Sequence, residues 1–225
     1  MTRGILITGN ETSLLAATAA EAAKRTESFA TVLVPNRFSD LKSQDGESVM
    51  PKVELSDRAI PLSWNPASSI SARTMVLAAE NRLGQINDAI LICSPPAAFK
   101  TPAPEEIEFF VNNQIKGWFF LIQDLLKYFR RTGKGSLSLV APEISSGGKN
   151  TQVDLMGPPA LASFQSFTQG ILASSVNEPF LVMGFTGAEA GVEEEFAAWL
   201  FKVIDEGNKK NSGRWQKFSK IKFFR

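Results

Sequence analysis

A turn that could hold a phosphate follows the first apolar stretch of the chain. Residues 4–8 predict a strand, and Gly9, Asn10, Thr12 and Ser13 stand between it and an alanine-rich helix. A helix that begins directly after a strand presents free backbone N–H groups, which suit phosphate oxygens. Dinucleotide-binding turns carry three glycines here, for the tight turn, the approach of the pyrophosphate and the packing of the helix. Gly9 retains only the first of these roles.

Side chains replace the other two glycines of such a turn. No glycine other than Gly9 lies between the strand and the helix; Ser13 and Leu15 open the helix instead, and Glu11 adds a negative charge to the loop. The Ser13 hydroxyl could still donate to a phosphate at the helix N-terminus, whereas Glu11 would repel one. Arg37 follows the second predicted strand and could pair with a 2′-phosphate, and Ser94 follows the fourth. The candidate cofactor-binding residues are therefore Gly9, Asn10, Thr12, Ser13, Arg37 and Ser94.

The residue types that the chain lacks exclude several kinds of catalytic site. It contains no histidine, which excludes a Ser-His-Asp triad, a histidine base and histidine-ligated zinc. Cys93 is the single cysteine, so neither an intrachain disulfide nor a cysteine cluster can form. No carboxylate-bearing loop has the spacing of a Mg²⁺ or Ca²⁺ site. We therefore predict no metal.

Short apolar stretches alternate with helical patterns along the chain. This alternation predicts parallel βαβ units, and strands without polar alternation predict a sheet covered on both faces. We predict an α/β fold, a single doubly wound Rossmann-like domain over residues 1–225, with about seven mostly parallel strands and helices on both faces. The predicted strands are residues 4–8, 31–35, 59–64, 89–93, 136–140, 180–185 and 214–218. The predicted helices are residues 13–25, 68–83, 105–131, 160–176 and 192–206.

The predicted helix over residues 105–131 is apolar around most of its circumference. One row of residues at three- and four-residue steps predicts a core face, while Phe119 and Phe120 fall outside this row. A helix with so much apolar surface buries more than one side. Together with residues 160–176, we expect it to form the interface of a homodimer or homotetramer; a core helix beneath a long loop is the alternative. The row consists of Ile107, Val111, Ile115, Trp118, Ile122, Leu125 and Phe129.

Charge is distributed unevenly along the chain. The net charge is +1, but residues 207–225 carry seven basic residues and no acid. This basic C-terminal segment could attract an anionic partner, or it could be a solvated strand and tail. No apolar run approaches the roughly 20 residues that span a membrane, and the N-terminus lacks the layout of a signal peptide. We expect a cytoplasmic location.

Short motifs in a consistent order resemble those of the short-chain dehydrogenase/reductases over nearly the whole chain. Thr8-Gly9 is similar to the start of the family's glycine-rich turn, and residues 32–37 to the second strand of members that prefer NADP. Residues 114–119, Gln-Ile-Lys-Gly-Trp-Phe, resemble Asn-x-x-Gly-x-Phe of the central helix. Residues 211–215 resemble the Thr-Gly-Gln segment before the last strand. The resemblance implies a Rossmann-type fold and NAD(P)-dependent oxidoreductase chemistry.

The same resemblance places unsuitable residues at the family's catalytic positions. Gln114 stands at the position of the asparagine, Pro142 at that of the serine, and Leu161 and Gln165 at those of Tyr-x-x-x-Lys. In the family the tyrosine transfers the proton and the lysine lowers its pKa, and leucine can do neither. Tyr128 is the only tyrosine of the chain and lies elsewhere. The resemblance thus implies no catalytic residue at these positions and no cofactor, with NADP(H) as the alternative.

Three functions are compatible with these residues. The first is a binding, scaffold or oligomeric interaction protein that has lost dehydrogenase activity. The second is a divergent NADP-dependent oxidoreductase that recruits Ser145, Ser146, Lys149 or Gln165. The third is a nucleotide-sensing regulator, in which Arg37, Ser13 and Ser94 would converge on one pocket. We favour the first, because several independent substitutions are harder to compensate than one.

Overall fold

A seven-stranded parallel sheet forms the centre of the computed structural model, which describes residues 3–10, 12–34, 56–96, 102–143, 154–188 and 190–219. The strand order is β3-β2-β1-β4-β5-β6-β7, and every neighbouring pair is parallel. The order reverses between β1 and β4, so the carboxyl ends of these two strands border the crevice of a doubly wound sheet. The strands are β1 (Ile5–Asn10), β2 (Phe29–Val34), β3 (Ala59–Pro61), β4 (Asp88–Ile92), β5 (Ser136–Val140), β6 (Leu181–Thr186) and β7 (Arg214–Lys217).

Helices cover both faces of this sheet. Alternate residues of a strand point to opposite faces, so Leu6 packs into the core beneath α2, α4 and α5, whereas Ile5 and Ile7 pack beneath α1 and α6. The predicted α/β fold, doubly wound and with helices on both faces, is confirmed. None of the helices in the described part of the chain has the length and apolar composition needed to cross a membrane. The helices are α1 (Ser13–Ala23), α2 (Ser69–Leu83), α3 (Pro104–Val111), α4 (Gly117–Thr132), α5 (Gly157–Ser174) and α6 (Glu193–Glu206).

All seven predicted strands are present, with differences at their ends. The first strand continues to Asn10, because Asn10 pairs with Val34 of β2. The third ends at Pro61 rather than at residue 64, at the edge of the sheet, where a proline without an N–H is tolerated. The fourth predicted helix, residues 160–176, begins earlier, at Gly157 of α5, where the Asp154 side chain accepts hydrogen bonds from the N–H groups of Met156 and Gly157.

The long predicted helix is interrupted by a π-helical segment, Asn112–Lys116, between α3 and α4. Each π turn contains one more residue than an α turn, so the buried face rotates across the segment. The core row predicted from the sequence is correct from Trp118 to Phe129, which are buried, but wrong for Ile107 and Val111, which are exposed. On α3, Phe110 is buried instead of Ile107 and Val111.

Candidate functional site

The carboxyl ends of β1 and β4 meet at the point where the strand order reverses. Gly9 of β1 lies opposite Ile92 of β4. A Cβ atom at Gly9 would lie 3.1 Å from the Ile92 and Leu15 side chains, which is tighter than ordinary packing. Gly9 therefore allows α1 to pack closely on the sheet, which is the role of the third glycine of such a turn rather than the tight-turn role predicted for Gly9.

The side chain of Asn10 links β1 to the residues on the other side of this crevice by hydrogen bonds to Gln114 and Ser94. Its Nδ2 donates to Oε1 of Gln114 over 3.1 Å, and its Oδ1 accepts from the backbone N–H of Ser94 over 3.1 Å. Asn10 and Gln114 are both buried, with Gln114 in the π segment that turns it toward β1. The structure thus brings together three residues predicted for the site, Asn10, Ser94 and Gln114. Their polar groups bind one another.

Two helix N-termini converge on one carboxylate beside this crevice. Thr12 caps α1 by accepting a hydrogen bond from the Leu15 N–H over 3.3 Å. The Ser13 hydroxyl donates to Oε1 of Glu193, the first residue of α6, over 2.9 Å. The backbone N–H of Gly191 donates to Oε2 of the same side chain over 2.8 Å. The carboxylate of Glu193 consequently lies beside the first residue of α1, on the Ser13 side chain.

Hydrogen bonding stabilises the ionised form of Glu193. Its own backbone N–H, the Ser13 hydroxyl and the Gly191 N–H together hold the pKa of Glu193 below the ordinary value. A carboxylate in the positive field of two helix N-termini is stabilised in the same sense. At neutral pH the ionised Glu193 carboxylate therefore places a negative charge beside the start of α1.

No protein-family model matches this chain, and no curated protein matches it in sequence. Among solved structures, a short-chain dehydrogenase from Mycobacterium smegmatis aligns with a TM-score of 0.71 and 14% identity, over 98% of this chain and 93% of that one. A mutant short-chain dehydrogenase/reductase from Serratia marcescens aligns with a TM-score of 0.66 and 11% identity, over 96% and 95%. A variant actinorhodin polyketide ketoreductase, solved with NADPH, aligns with a TM-score of 0.68 and 16% identity, over 96% and 95%. The chain has the short-chain dehydrogenase/reductase fold.

The positions that the resemblance assigns to Tyr-x-x-x-Lys lie on α5 of this fold. Leu161 is 5% exposed and belongs to the core beneath α2, α4 and α5. Phe164, one turn further, packs edge-on against Trp118 with ring centroids 5.6 Å apart. Gln165 is half-buried. A leucine packed into a core can neither donate nor accept the proton that the family's tyrosine transfers.

The structure describes only some of the other residues predicted for the site. Pro142 follows β5 and is half-buried, and a proline has no side-chain group for acid–base chemistry. Arg37, Ser145, Ser146 and Lys149 lie outside the described residues, so the proposals that involve them stay predictions. Within the described ranges no three side chains of metal-ligating type cluster.

Cys93 and Tyr128 carry potentially reactive side-chain groups, but both side chains are buried in the core. Cys93 follows β4 and is fully buried, and its burial raises the pKa of the thiol, which opposes formation of the reactive thiolate. The Tyr128 hydroxyl accepts a hydrogen bond from the Ile86 N–H over 2.8 Å, and burial raises the pKa of this phenol as well. Both side chains belong to the core beneath α2, α4 and α5.

Sequence reasoning missed the partner of Ser13. Locally, Glu193 belongs only to the acidic first turn of α6, with Glu194 and Glu195, which the helix dipole favours. Ser13 and Glu193 are 180 residues apart in the chain, so no local pattern joins them. The signal that could have indicated the contact is the short connection after β6, which in a doubly wound sheet brings the start of α6 to the same edge as the start of α1.

Proposed function

We propose that this protein binds other molecules as an oligomeric or scaffold protein on the short-chain dehydrogenase/reductase fold and does not transfer hydride. The observation that carries the proposal is the Glu193 carboxylate on the Ser13 hydroxyl at the N-terminus of α1. The residues present do not fit a dinucleotide pyrophosphate, because the negative charge that this helix terminus would receive is already supplied. The core position of Leu161 supports the same conclusion for the proton transfer.

Electrostatics indicates how strongly Glu193 would oppose a phosphate. Two unit charges 4 Å apart repel by about 1 kcal/mol in bulk water and by roughly 4 kcal/mol at the effective dielectric of a protein surface. A phosphate would also have to replace the hydrogen bonds that Glu193 receives from Ser13 and Gly191. Since about 1.4 kcal/mol corresponds to tenfold in affinity, repulsion of this size lowers the affinity for a dinucleotide at least several-fold.

The test is a titration of the purified protein with NADPH and NADH, followed by nicotinamide fluorescence and thermal unfolding. We expect no saturable binding by the wild type at millimolar cofactor. Glu193→Gln keeps the shape of the side chain but removes the charge, and we expect it to gain affinity at least several-fold. Glu194→Gln, a neighbouring exposed acid on the same helix turn, is the matched control and should behave as the wild type.

Saturable binding of NADPH by the wild type would contradict the proposal. Binding without turnover of carbonyl substrates would favour the nucleotide-sensing regulator, and oxidation of NADPH on addition of a carbonyl compound would favour the divergent oxidoreductase. An Arg37→Ala variant would then identify the source of a preference for NADPH over NADH.

Assembly is the second part of the proposal. Phe119 of α4 and Phe167 of α5 pack against each other with ring centroids 4.1 Å apart and planes tilted by 37°, and both are only half-buried. They border a groove of about 440 Å³ between the two helices, which includes Gly170 and Ile171. An apolar groove of this kind supports the predicted interface through residues 105–131 and 160–176. We expect Phe167→Glu to lower the mass measured by light scattering, whereas an unchanged mass would exclude this interface.

The basic C-terminal segment supports a further, weaker contact. Lys209 and Lys210 lie exposed on a short 3₁₀ helix, Lys209–Asn211, and Arg214 is exposed at the start of β7. Lys217 is paired with Glu143 over 3.3 Å. We propose that the exposed Lys209, Lys210 and Arg214 attract an anionic partner, and that the attraction weakens as salt is raised.

A further inference from the structure

A groove with a basic rim lies between α2 and α4, away from the switch point of the sheet. Its volume is about 350 Å³. Val76, Leu77 and Tyr128 contribute apolar surface, and Leu77 is 45% exposed. Ile70, two turns before Leu77 on α2, is 77% exposed. Leu77 is thus an exposed aliphatic side chain that lines the groove, and such a surface is typical of contacts with another protein.

The charges around this groove are mainly positive. Arg73, Lys127 and Arg131 line it, together with the single acid Asp124, so its lining carries a net charge of +2. Lys127 pairs with Asp124 over 3.1 Å, and Arg131 pairs over 2.6 Å with Glu80, just outside the groove. Arg73 is exposed, and no acidic side chain in the described ranges pairs with it. The groove therefore offers one uncompensated guanidinium beside an apolar surface.

The short helix α3 has the complementary character. The π segment turns Ile107 and Val111 outward, and these side chains are 41% and 39% exposed. Three exposed glutamates share the helix, which contains no basic residue, so α3 carries a net charge of −3. The helix is thus amphipathic on its outer side, with aliphatic side chains next to acids. The three glutamates are Glu105, Glu106 and Glu108.

The groove cannot be filled by α3 of the same chain. Helix α3 continues through the π segment into α4, and the groove lies against Asp124–Arg131 near the far end of α4. Residues 107 and 127 are separated along this nearly continuous helix by roughly 30 Å, at about 1.5 Å per residue. A contact between the acidic helix and the basic groove must consequently join two molecules.

We propose that α3 of one copy of this chain docks in the α2–α4 groove of a second copy. Ile107 and Val111 would fill the apolar part of the groove beside Leu77, and the glutamates would lie against Arg73 and its basic neighbours. The apolar contact supplies most of the affinity, because exposed ion pairs contribute little, and the charges set the orientation. The two surfaces differ, so the contact is head-to-tail and extends into rings or open chains. This surface is separate from the Glu193 site, and neither proposal depends on the other.

A mixing experiment tests the head-to-tail geometry. Arg73→Glu alters only the groove, and Ile107→Glu alters only the docking helix, both at exposed positions where folding is not at risk. We expect the mass of the wild type, measured by sedimentation, to rise with concentration and to fall with salt. Each variant alone should show a lower mass, and an equimolar mixture should recover association, since one intact groove and one intact helix remain. Lys202→Glu, an exposed charge reversal on α6, is the matched control and should leave the mass unchanged.

Disulfide cross-linking tests the same contact independently of any other interface. The single native cysteine, Cys93, is buried and does not compete. A mixture of Leu77→Cys and Ile107→Cys proteins should form a two-chain disulfide under mild oxidation, and Val176→Cys, exposed elsewhere, should not cross-link with Ile107→Cys. A wild type that stays monomeric, a mixture with no more association than its components, or a dominant Leu77→Cys homodimer would each overturn the proposal.

Discussion

The two ends of the parallel sheet are held together by different chemistry. At the amino end, the Asp88 carboxylate accepts hydrogen bonds from Arg3 and from the Ser136 hydroxyl, each over 2.6 Å. Arg3 also pairs with Asp205, which in turn pairs with Arg25. At the carboxyl end, the buried contact is a neutral one, between the amides of Asn10 and Gln114.

This difference concerns the end of the sheet at which α/β proteins bind their ligands. Ligands and catalytic groups of such sheets lie at the carboxyl ends of the strands, where loops can present them. Here the extended ion-pair network among described residues lies at the opposite end, where it holds the sheet to α1 and α6. At the carboxyl end, Asn10 binds the Gln114 side chain and the Ser94 backbone. Among the described residues, the ion-pair network thus stabilises the amino end of the sheet, whereas neutral amide hydrogen bonds close the crevice at the carboxyl end.

The largest effect is expected where the carboxyl end meets the core. Trp118 is fully buried and packs against Phe164 and against Trp64, whose ring centroid lies 6.1 Å away. Trp118→Ala should lower the free energy of unfolding by about 3–5 kcal/mol, because the cavity cannot be filled. Denaturant titration measures this loss. Trp118→Phe should cost much less, and equal losses for both variants would contradict a packing role.

The amino-end network provides the next prediction. Asp88→Ala removes the acceptor shared by Arg3 and Ser136 and should destabilise the protein by about 2–3 kcal/mol, as for hydrogen bonds to charged groups. Asp57→Ala, an exposed acid, is the control and should change the stability little. A loss for Asp88→Ala no larger than the control would remove the contrast between the two ends of the sheet.

A smaller effect is expected at the amide bridge. Asn10→Ala removes two neutral hydrogen bonds, to Gln114 and from Ser94, and should destabilise by about 1–2 kcal/mol. Thermal unfolding of this variant beside Asn81→Ala, an exposed asparagine of α2, measures the difference. If Asn10→Ala instead bound NADPH without loss of stability, the bridge would be a barrier to ligand rather than a structural contact.

The smallest effect is a difference in pH dependence between the two ends. Burial alone would raise the pKa values of Glu21 and Asp205, but hydrogen bonds from Lys24, Arg25 and Arg3 outweigh it and lower both. A carboxylate with a lowered folded-state pKa contributes stability that is present above its unfolded-state pKa and is lost as the pH falls through the folded-state pKa.

Stability should therefore decline below the ordinary range of carboxylates, and Asp205→Asn should flatten this decline. The neutral Asn10–Gln114 contact has no such dependence, so Asn10→Ala should leave the shape of the profile unchanged. Unfolding midpoints between neutral and acid pH measure both. Parallel profiles for the wild type and Asp205→Asn would show that this network does not govern acid sensitivity.

Most of the fold could be predicted from the sequence, because the residues within and at the ends of each helix or strand form a recognisable local pattern. Strand residues such as Ile90 and Leu139 lie in apolar runs, and Gly84 and Gly207 mark the ends of α2 and α6 with positive φ angles. The site was predicted only in part. Gly9, Asn10 and Ser94 were identified as residues of the crevice, whereas the contact of Ser13 with Glu193 was not foreseen.

The sequence by itself determined the order of strands and helices along the chain and the absence of histidine chemistry. Tertiary structure alone decided that Asn10 and Gln114 would meet across 104 residues, and that Ser13 would bind Glu193 across 180. It also decided, through the π segment, that Ile107 and Val111 would face outward. The physical reason is that hydrophobic periodicity indicates only whether one segment forms a helix or a strand and which face it buries. Contacts between segments depend on the order of strands in the sheet and on the rotation of each helix about its axis.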